Sequence, residues 1–535
     1  MTDNFTQTGQ VFSQTNVIEY VADPLASYFD VTHDTAHTLL LESAEIDSKD
    51  NLKSIMLLDA CVRFECNGLV VRADALNSNG ENALAVINTK LSAFISEQTS
   101  TFSEYTFALP NDQCDEDTRL KSTGVFDVLR HCVNDIEHDR QQAFAVFLGG
   151  CFAYDLLGTV ESLPVVNNGA NTCPDFVFYL AQTLCVIDHK AQSTALISNL
   201  FSGPEYPQNQ ERQQQRIEQL TYDLHQPPVQ LSLESKRINM HVNNTDVQVD
   251  KSDEQFCADV TFLQEHILAG DIFQVVPSRT FSLPCQSPIS AYQQLKQLNP
   301  SPYMFFMQDA DFALFGASPE SALKYTATSN QVEIYPIAGT RPRGKRQDGS
   351  IDHDLDSRIE LNLREDLKEK SEHIMLVDLA RNDVARASQP GTRHVKELLK
   401  VDRYSHVMHL VSRVVGQLRD DLDALHAYQA CLNMGTLVGA PKVSAATLIR
   451  QVEQQRRGSY GGAVGYLDGQ GNMDSCIVIR SAFVQNDVAH VQAGAGVVYD
   501  SVPQSEADET RAKAQAVIKA VMLSQQCQQS QESSQ

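Results

Sequence analysis

A chain of 535 residues is longer than one hydrophobic core sustains, since cores stop growing near roughly 250–300 residues, so two large domains are expected. With 42% hydrophobic and 21% charged residues the composition is that of an ordinary water-exposed protein, and no apolar run reaches the length of a membrane span. A formal net charge of −26, with no basic stripe to offset it, repels phosphate backbones and argues against nucleic acid as a partner.

The opening MTDNFTQTGQVFSQT has neither a basic start nor an apolar block, so it does not read as a secretory signal and the cytoplasm is expected. The 12 cysteines are far apart with no C-x-x-C pair, which predicts reduced, mostly buried thiols. Gly150-Cys151 superficially resembles a nucleophile elbow, but no H-x-E follows, and a thiol nucleophile needs its base. Cys151 is therefore given a structural role. Residues 1–200 are read as an N-terminal domain and 201–250 as a polar linker, where QNQERQQQRIEQL suggests a polar helix and HQPPVQ a breaker. Residues 251–522 form a second domain, and 523–535, ending in SQQCQQSQESSQ, a disordered tail.

Within 251–522, DEQFCADVTFLQEHILAGD predicts a helix stopped by Gly270, and LREDLKEKSEHIMLVDLARNDVARASQPG one long helix stopped by Pro-Gly. SPYMFFMQ, FALFGAS and QVEIYPIAGT read as strands. From Gly458 a meander follows: SYGGAVGYLD, a turn at Asp468 to Asn472, MDSCIVIRSAFVQ, a tight Asn486-Asp487 turn, and VAHVQAGAGVVY. Strands and helices interleave without regular βαβ alternation, which predicts an antiparallel α+β fold.

Glu369 and Glu372 stand i, i+3 on the long helix, so both carboxylates project from nearly one face. Glu506 and Glu509 repeat the spacing where Ser505 and Asp508 suggest a capping box opening the final helix. Two such pairs suit a hard divalent cation such as Mg²⁺; either pair alone also suits a solvated helix face. Arg480 interrupts the apolar run CIVIRSAFV, where a charge is costly unless it meets an anion or faces water. Gly494 and Gly496 weaken a strand unless a ligand approaches the backbone closely or a bulge is needed. Tyr460 offers a hydroxyl to the same region, and Thr436 lies among small residues that permit ligand contact. In YSHVMHLVSRV, His409 is either a core histidine or a catalyst, and His406 is read as structural.

Taken in order, GASPES, PIAGTRPRG, the E-x-x-E helix running into MLVDLARND, YSHVMHLVS, NMGTLVGAPK, RRGSYGGAVGY, AGAGVVYDS and EADET resemble the chorismate-utilising enzymes, over Phe256 to Met522. LLLESAEI and LGGCFAYDLL resemble the family's N-terminal partner domain. The resemblance implies two intertwined domains with large antiparallel sheets in an α/β sandwich. It implies Mg²⁺ held by Glu372 and Glu509, with Glu369 and Glu506 ordering metal waters. Tyr460, Arg480, Lys513 and the backbone of Gly494, Ala495 and Gly496 would hold chorismate, with Gly339 and Thr340 lining the pocket. Glu320 would help the ring hydroxyl depart, His409 would serve pyruvate elimination, and Gln274 and Thr436 complete the catalytic set.

Two positions separate branches of the family. Isochorismate- and salicylate-forming members carry a lysine base where this chain has Gln274, and aminodeoxychorismate-forming members a nucleophilic lysine where it has Ala338. The resemblance thus points to the anthranilate-forming branch: amination of chorismate by ammonia and loss of pyruvate, the first committed step toward tryptophan. It also implies a glutamine amidotransferase subunit as ammonia source, in a heterotetramer. Leu40-Leu41-Glu42-Ser43 with Asn299 to Met304 resembles that branch's tryptophan effector site, formed by Glu42, Ser43, Pro302, Tyr303 and Met304; without the resemblance these segments read as core strand plus turn. The competing readings are an aminodeoxychorismate-forming enzyme and a non-catalytic tryptophan-binding regulator.

Overall fold

The computed structural model describes residue 5 and residues 7–33, 35–43, 52–111, 113–227, 247–346, 348–404 and 407–532. His406 lies outside them. Every pairing between strands is antiparallel, giving one large branched sheet and a two-stranded ribbon of Gln274–Val275 with Gly439–Ala440. Helices pack against the large sheet, so the fold is the expected antiparallel α+β.

The sheet is organised around the strand Lys53–Asn67, which pairs with Thr38–Glu42, Val70–Ala75 and Phe176–Asp188. Its sequence KSIMLLDACVRFECN carries apolar residues at successive positions, as in Ile55 to Leu58, because both faces are largely covered, unlike a strand with one wet face. The sheet crosses between the two halves of the chain twice. Thr38–Glu42 pairs with Tyr303–Gln308, and Phe147–Phe152 pairs with Ala463–Asp468. The segments 1–200 and 251–522 therefore share one sheet instead of carrying separate ones. Cys151 lies in that second crossing, fully buried opposite Val177 and Val464, in keeping with a structural thiol. The described cysteines are free and buried, except for the partly exposed Cys114 and Cys257.

The polar helix expected within 201–250 is present as Tyr206–His225, and it packs, burying Ile217 and Leu220 and a glutamine, Gln213, satisfied by Gln182 and Thr183. Three expectations need correction. The tail expected at 523–535 continues the helix Pro503–Glu532 through residue 532, with Ser524 still buried, because the apolar positions Val517, Ala520 and Val521 anchor the helix against Tyr292 and Leu295. That helix starts at Pro503 and not at Ser505, so Asp508 pairs with Arg511 at 2.6 Å instead of closing a capping box. The long helix is two, His353–Glu365 and Leu367–Ala387, divided at Asp366, whose extended backbone lets its carboxylate accept the Glu369 N–H at 3.2 Å.

Among the described residues no helix is long and apolar enough to cross a membrane.

Candidate active site

The meander forms as expected except at its centre. MDSCIVIRSAFVQ is not one strand but two: Met473–Ile477 pairs with Ala463–Asp468 and Ser321–Thr326, whereas Ser481–Gln485 pairs with Val488–Gly494 and Ala313–Ser318. Arg480 sits at the break in the left-handed region, with φ 51°. It is thus not an inner-strand residue; the break turns its side chain toward the last helix, where it donates to the Lys513 carbonyl at 3.0 Å. Burial lowers its pKa, opposed by the nearby Tyr460 and Glu509. A half-buried guanidinium of this kind is suited to an anionic ligand.

The end of the strand Val488–Gly494 is the hub of the site. A Cβ on Gly494 would stand 3.0 Å from the Tyr460 hydroxyl, and one on Gly496 would stand 2.9 Å from Gln274 Nε2 and 3.5 Å from Glu372 Oε1. Lys513 donates to the Gly494 carbonyl at 3.0 Å and pairs with Glu509 at 2.6 Å. Both glycines leave room for close approach to a backbone that Ala495 continues, and side chains from the two carboxylate-bearing helices reach this segment.

Two catalytic candidates flank it. Glu320, between the strands Ala313–Ser318 and Ser321–Thr326, is buried and accepts a 3.0 Å hydrogen bond from Thr436 in the short helix Gly435–Val438. Burial raises its pKa to about 8, against the lowering effects of the Thr436 hydroxyl and the Lys513 charge. On the strand Val407–Gln417, His409 faces Thr340 in register and shares a 2.9 Å hydrogen bond with its hydroxyl. Burial, then the Arg480 charge, lower the His409 pKa to about 4, so the ring is neutral at pH 7. Next to Thr340, Gly339 has φ +73°, and a Cβ there would stand 3.0 Å from Glu369 Oε2. The fold therefore gathers Glu320, Thr436, His409, Gly339, Thr340, Gln274, Tyr460, Arg480, Lys513, Glu369, Glu372 and Glu509 around one strand end. Glu506 is buried one turn before Glu509.

Carboxylate oxygens are the donors Mg²⁺ prefers, so the four glutamates fit such an ion in kind. Glu369 is paired with Arg341 at 2.8 Å and Glu509 with Lys513, and among the described residues no three acidic, His or Cys groups are gathered at ligand spacing. Sequence reasoning missed Arg341, which also holds Asp366 at 2.9 Å, and the buried pair Glu453–Arg457 beneath Tyr460. Both arginines lie inside quoted motifs, PIAGTRPRG and RRGSYGGAVGY, but nothing local distinguishes them from solvated ones.

The two segments expected to form an effector site also meet. Met304 lies opposite Glu42, whose carboxylate accepts from the Tyr292 hydroxyl at 2.7 Å and pairs with Lys296 at 2.6 Å; Ser43 follows directly.

The sequence model of the family described as chorismate binding enzyme matches residues 91–519. Anthranilate synthase component 1 of Vibrio cholerae serotype O1 is 56% identical over 512 residues, covering 95% of this chain and 96% of its own. The Escherichia coli K12 protein of the same name is 55% identical over 510 residues, with the same coverages. Among solved structures, anthranilate synthase component I from Streptococcus pneumoniae TIGR4 shares 27% identity at a TM-score of 0.64, over 89% of this chain and 94% of that one. The menaquinone-specific isochorismate synthase of Escherichia coli, 17% identical, shares the fold at a TM-score of 0.65, over 97% of this chain and 96% of that one. With a family match running across most of its length, and relatives more than half identical from end to end, the chain belongs to the chorismate binding enzyme family.

Proposed function

We propose that the protein converts chorismate and ammonia to anthranilate, pyruvate and water, as the large subunit of an anthranilate synthase acting in the cytoplasm. The observation that carries this reading is the buried Glu320, whose carboxyl keeps its proton to about pH 8 beside Thr436 and within the field of Lys513. Ammonia adds to the ring carbon next to the carboxylate-bearing one while Glu320 gives its proton to the departing ring hydroxyl, which leaves as water. Neutral His409 then serves elimination, in which a ring proton is lost, the enolpyruvyl C–O bond breaks and pyruvate departs. Arg480 and the Gly494–Gly496 backbone hold the substrate carboxylates. Ala338 and Gln274 support amination by free ammonia, since neither side chain can form an adduct or activate water as a lysine would.

Mg²⁺, when bound through Glu372 and Glu509 with Glu369 and Glu506 beside them, would neutralise and fix a substrate carboxylate. A glutamine amidotransferase subunit would supply ammonia in a heterotetramer, and tryptophan would inhibit through Glu42, Ser43 and the Pro302–Met304 segment. The test is incubation of the purified chain with chorismate, Mg²⁺ and ammonium while following anthranilate fluorescence. Release of 4-amino-substituted product instead would favour the aminodeoxychorismate reading, and no turnover a non-catalytic regulator.

A further inference from the structure

We propose that Arg457 is a positioning residue that sets the Tyr460 hydroxyl, the Thr436 loop and the backbone behind Gly494 in one fixed geometry. The side chain is 1% exposed. Its guanidinium donates to both carboxylate oxygens of Glu453, at 2.8 and 2.5 Å, to the Leu437 carbonyl at 2.9 Å and to the Val276 carbonyl at 2.6 Å. It also lies over the Tyr460 ring, 5.6 Å from its centroid.

Each partner adjoins a different wall of the site. Leu437 follows Thr436, which bonds Glu320. Val276 precedes Pro277, whose carbonyl lies 2.7 Å from the position of a Cβ on Gly494. Glu453 Oε1 also accepts from the Ser278 amide and hydroxyl, both at 2.8 Å. One planar cation with a rigid fork thus ties Glu453, at the end of the helix Lys442–Glu453, to the Leu437 and Val276 carbonyls, whose segments the ribbon of Gln274–Val275 with Gly439–Ala440 also links, and a flexible ammonium would do this less rigidly. The loop carrying it is itself pinned, since the Arg457 and Gly458 amides donate to Asp155 at 2.9 Å.

This inference rests on the proposed reaction, and its test separates the two. Five variants are compared with wild type for ammonium-dependent kcat and KM and for thermal unfolding: Arg457→Lys, the double variant Arg457→Met with Glu453→Leu, Tyr460→Phe, and each of the first two combined with Tyr460→Phe. The double variant removes both charges together, so that no uncompensated charge is left buried. The expected result is cooperative unfolding with kcat/KM for chorismate reduced about tenfold or more, partial recovery in Arg457→Lys, and a Tyr460→Phe effect smaller in these backgrounds than in wild type. Folded variants with kcat/KM near wild type, or a Tyr460→Phe effect that simply adds, would overturn it. Failure of both Arg457 variants to fold would assign the pair to stability and overturn it equally. A wild-type chain without turnover would instead refute the proposed reaction.

Discussion

Replacing Glu320 with glutamine should remove one pH-dependent contribution to stability together with the acid. In the folded chain the carboxyl titrates at about 8, against an ordinary value of 4.5, because burial disfavours the anion. The unfolded chain therefore releases the proton first, and stability falls as pH rises between those values, being unaffected below about 4.5. At pH 7 the shift corresponds to roughly 3 kcal/mol of lost stability, growing by little above pH 8, where folded and unfolded states are both ionised. Glu320→Gln keeps the size and an acceptor for Thr436 but has no proton to lose. Urea unfolding of both proteins at pH 5, 6 and 7 should show the variant gaining on wild type by about 1 kcal/mol or more per pH unit. Its anthranilate formation should be lower by about 100-fold or more, the usual range for a general acid. Wild-type turnover, corrected for the free ammonia present, should decline above pH 8 as Glu320 loses its proton. Stability curves that run parallel with pH would refute the assignment of a buried, protonated Glu320.

His409→Met should leave amination intact and stall elimination, so that chromatography of the reaction shows an aminated intermediate with pyruvate still attached; unchanged pyruvate release would remove His409 from that step. Glu372→Gln and Glu509→Gln change only partly exposed side chains, so melting should hardly move, while activity at low Mg²⁺ should drop by about 100-fold or more. Near-normal rates there would displace the metal from these residues. Ser43→Phe should block the proposed effector site and abolish tryptophan inhibition with the uninhibited rate retained, and in the wild type tryptophan and chorismate should weaken each other equally, by about 1 to 3 kcal/mol; equal tryptophan sensitivity of the two proteins would remove Ser43 from that site. The chain alone should use ammonium and not glutamine, since Cys151 is sealed in a strand; glutamine-dependent turnover would contradict this.

Much of the fold was legible because its signals are local. Gly270 ends the helix Asp253–Ala269 at φ 86°, and Asn486 and Asp487 both take the positive φ that a two-residue hairpin turn requires. Each of these operates within a turn or two of chain, so residue type and spacing suffice. The residue types of the site were legible for the same reason: i, i+3 glutamates, an arginine in an apolar run and paired glycines are patterns along the chain. What the tertiary structure decided depends on contacts between distant segments. The apolar run around Arg480 read as one strand, yet its two ends pair with different neighbours, and the break between them is what aims the guanidinium at Lys513. Helix ends moved, from Ser505 to Pro503 and into the presumed tail, because packing against Tyr292 and Leu295 outweighs a polar local composition. Glu320 could be named from its motif, but its proton affinity comes from desolvation by the surrounding fold, which no spacing encodes. Arg457 looked like any arginine of a basic loop, and only the assembled sheet shows it buried, joining three walls of the site.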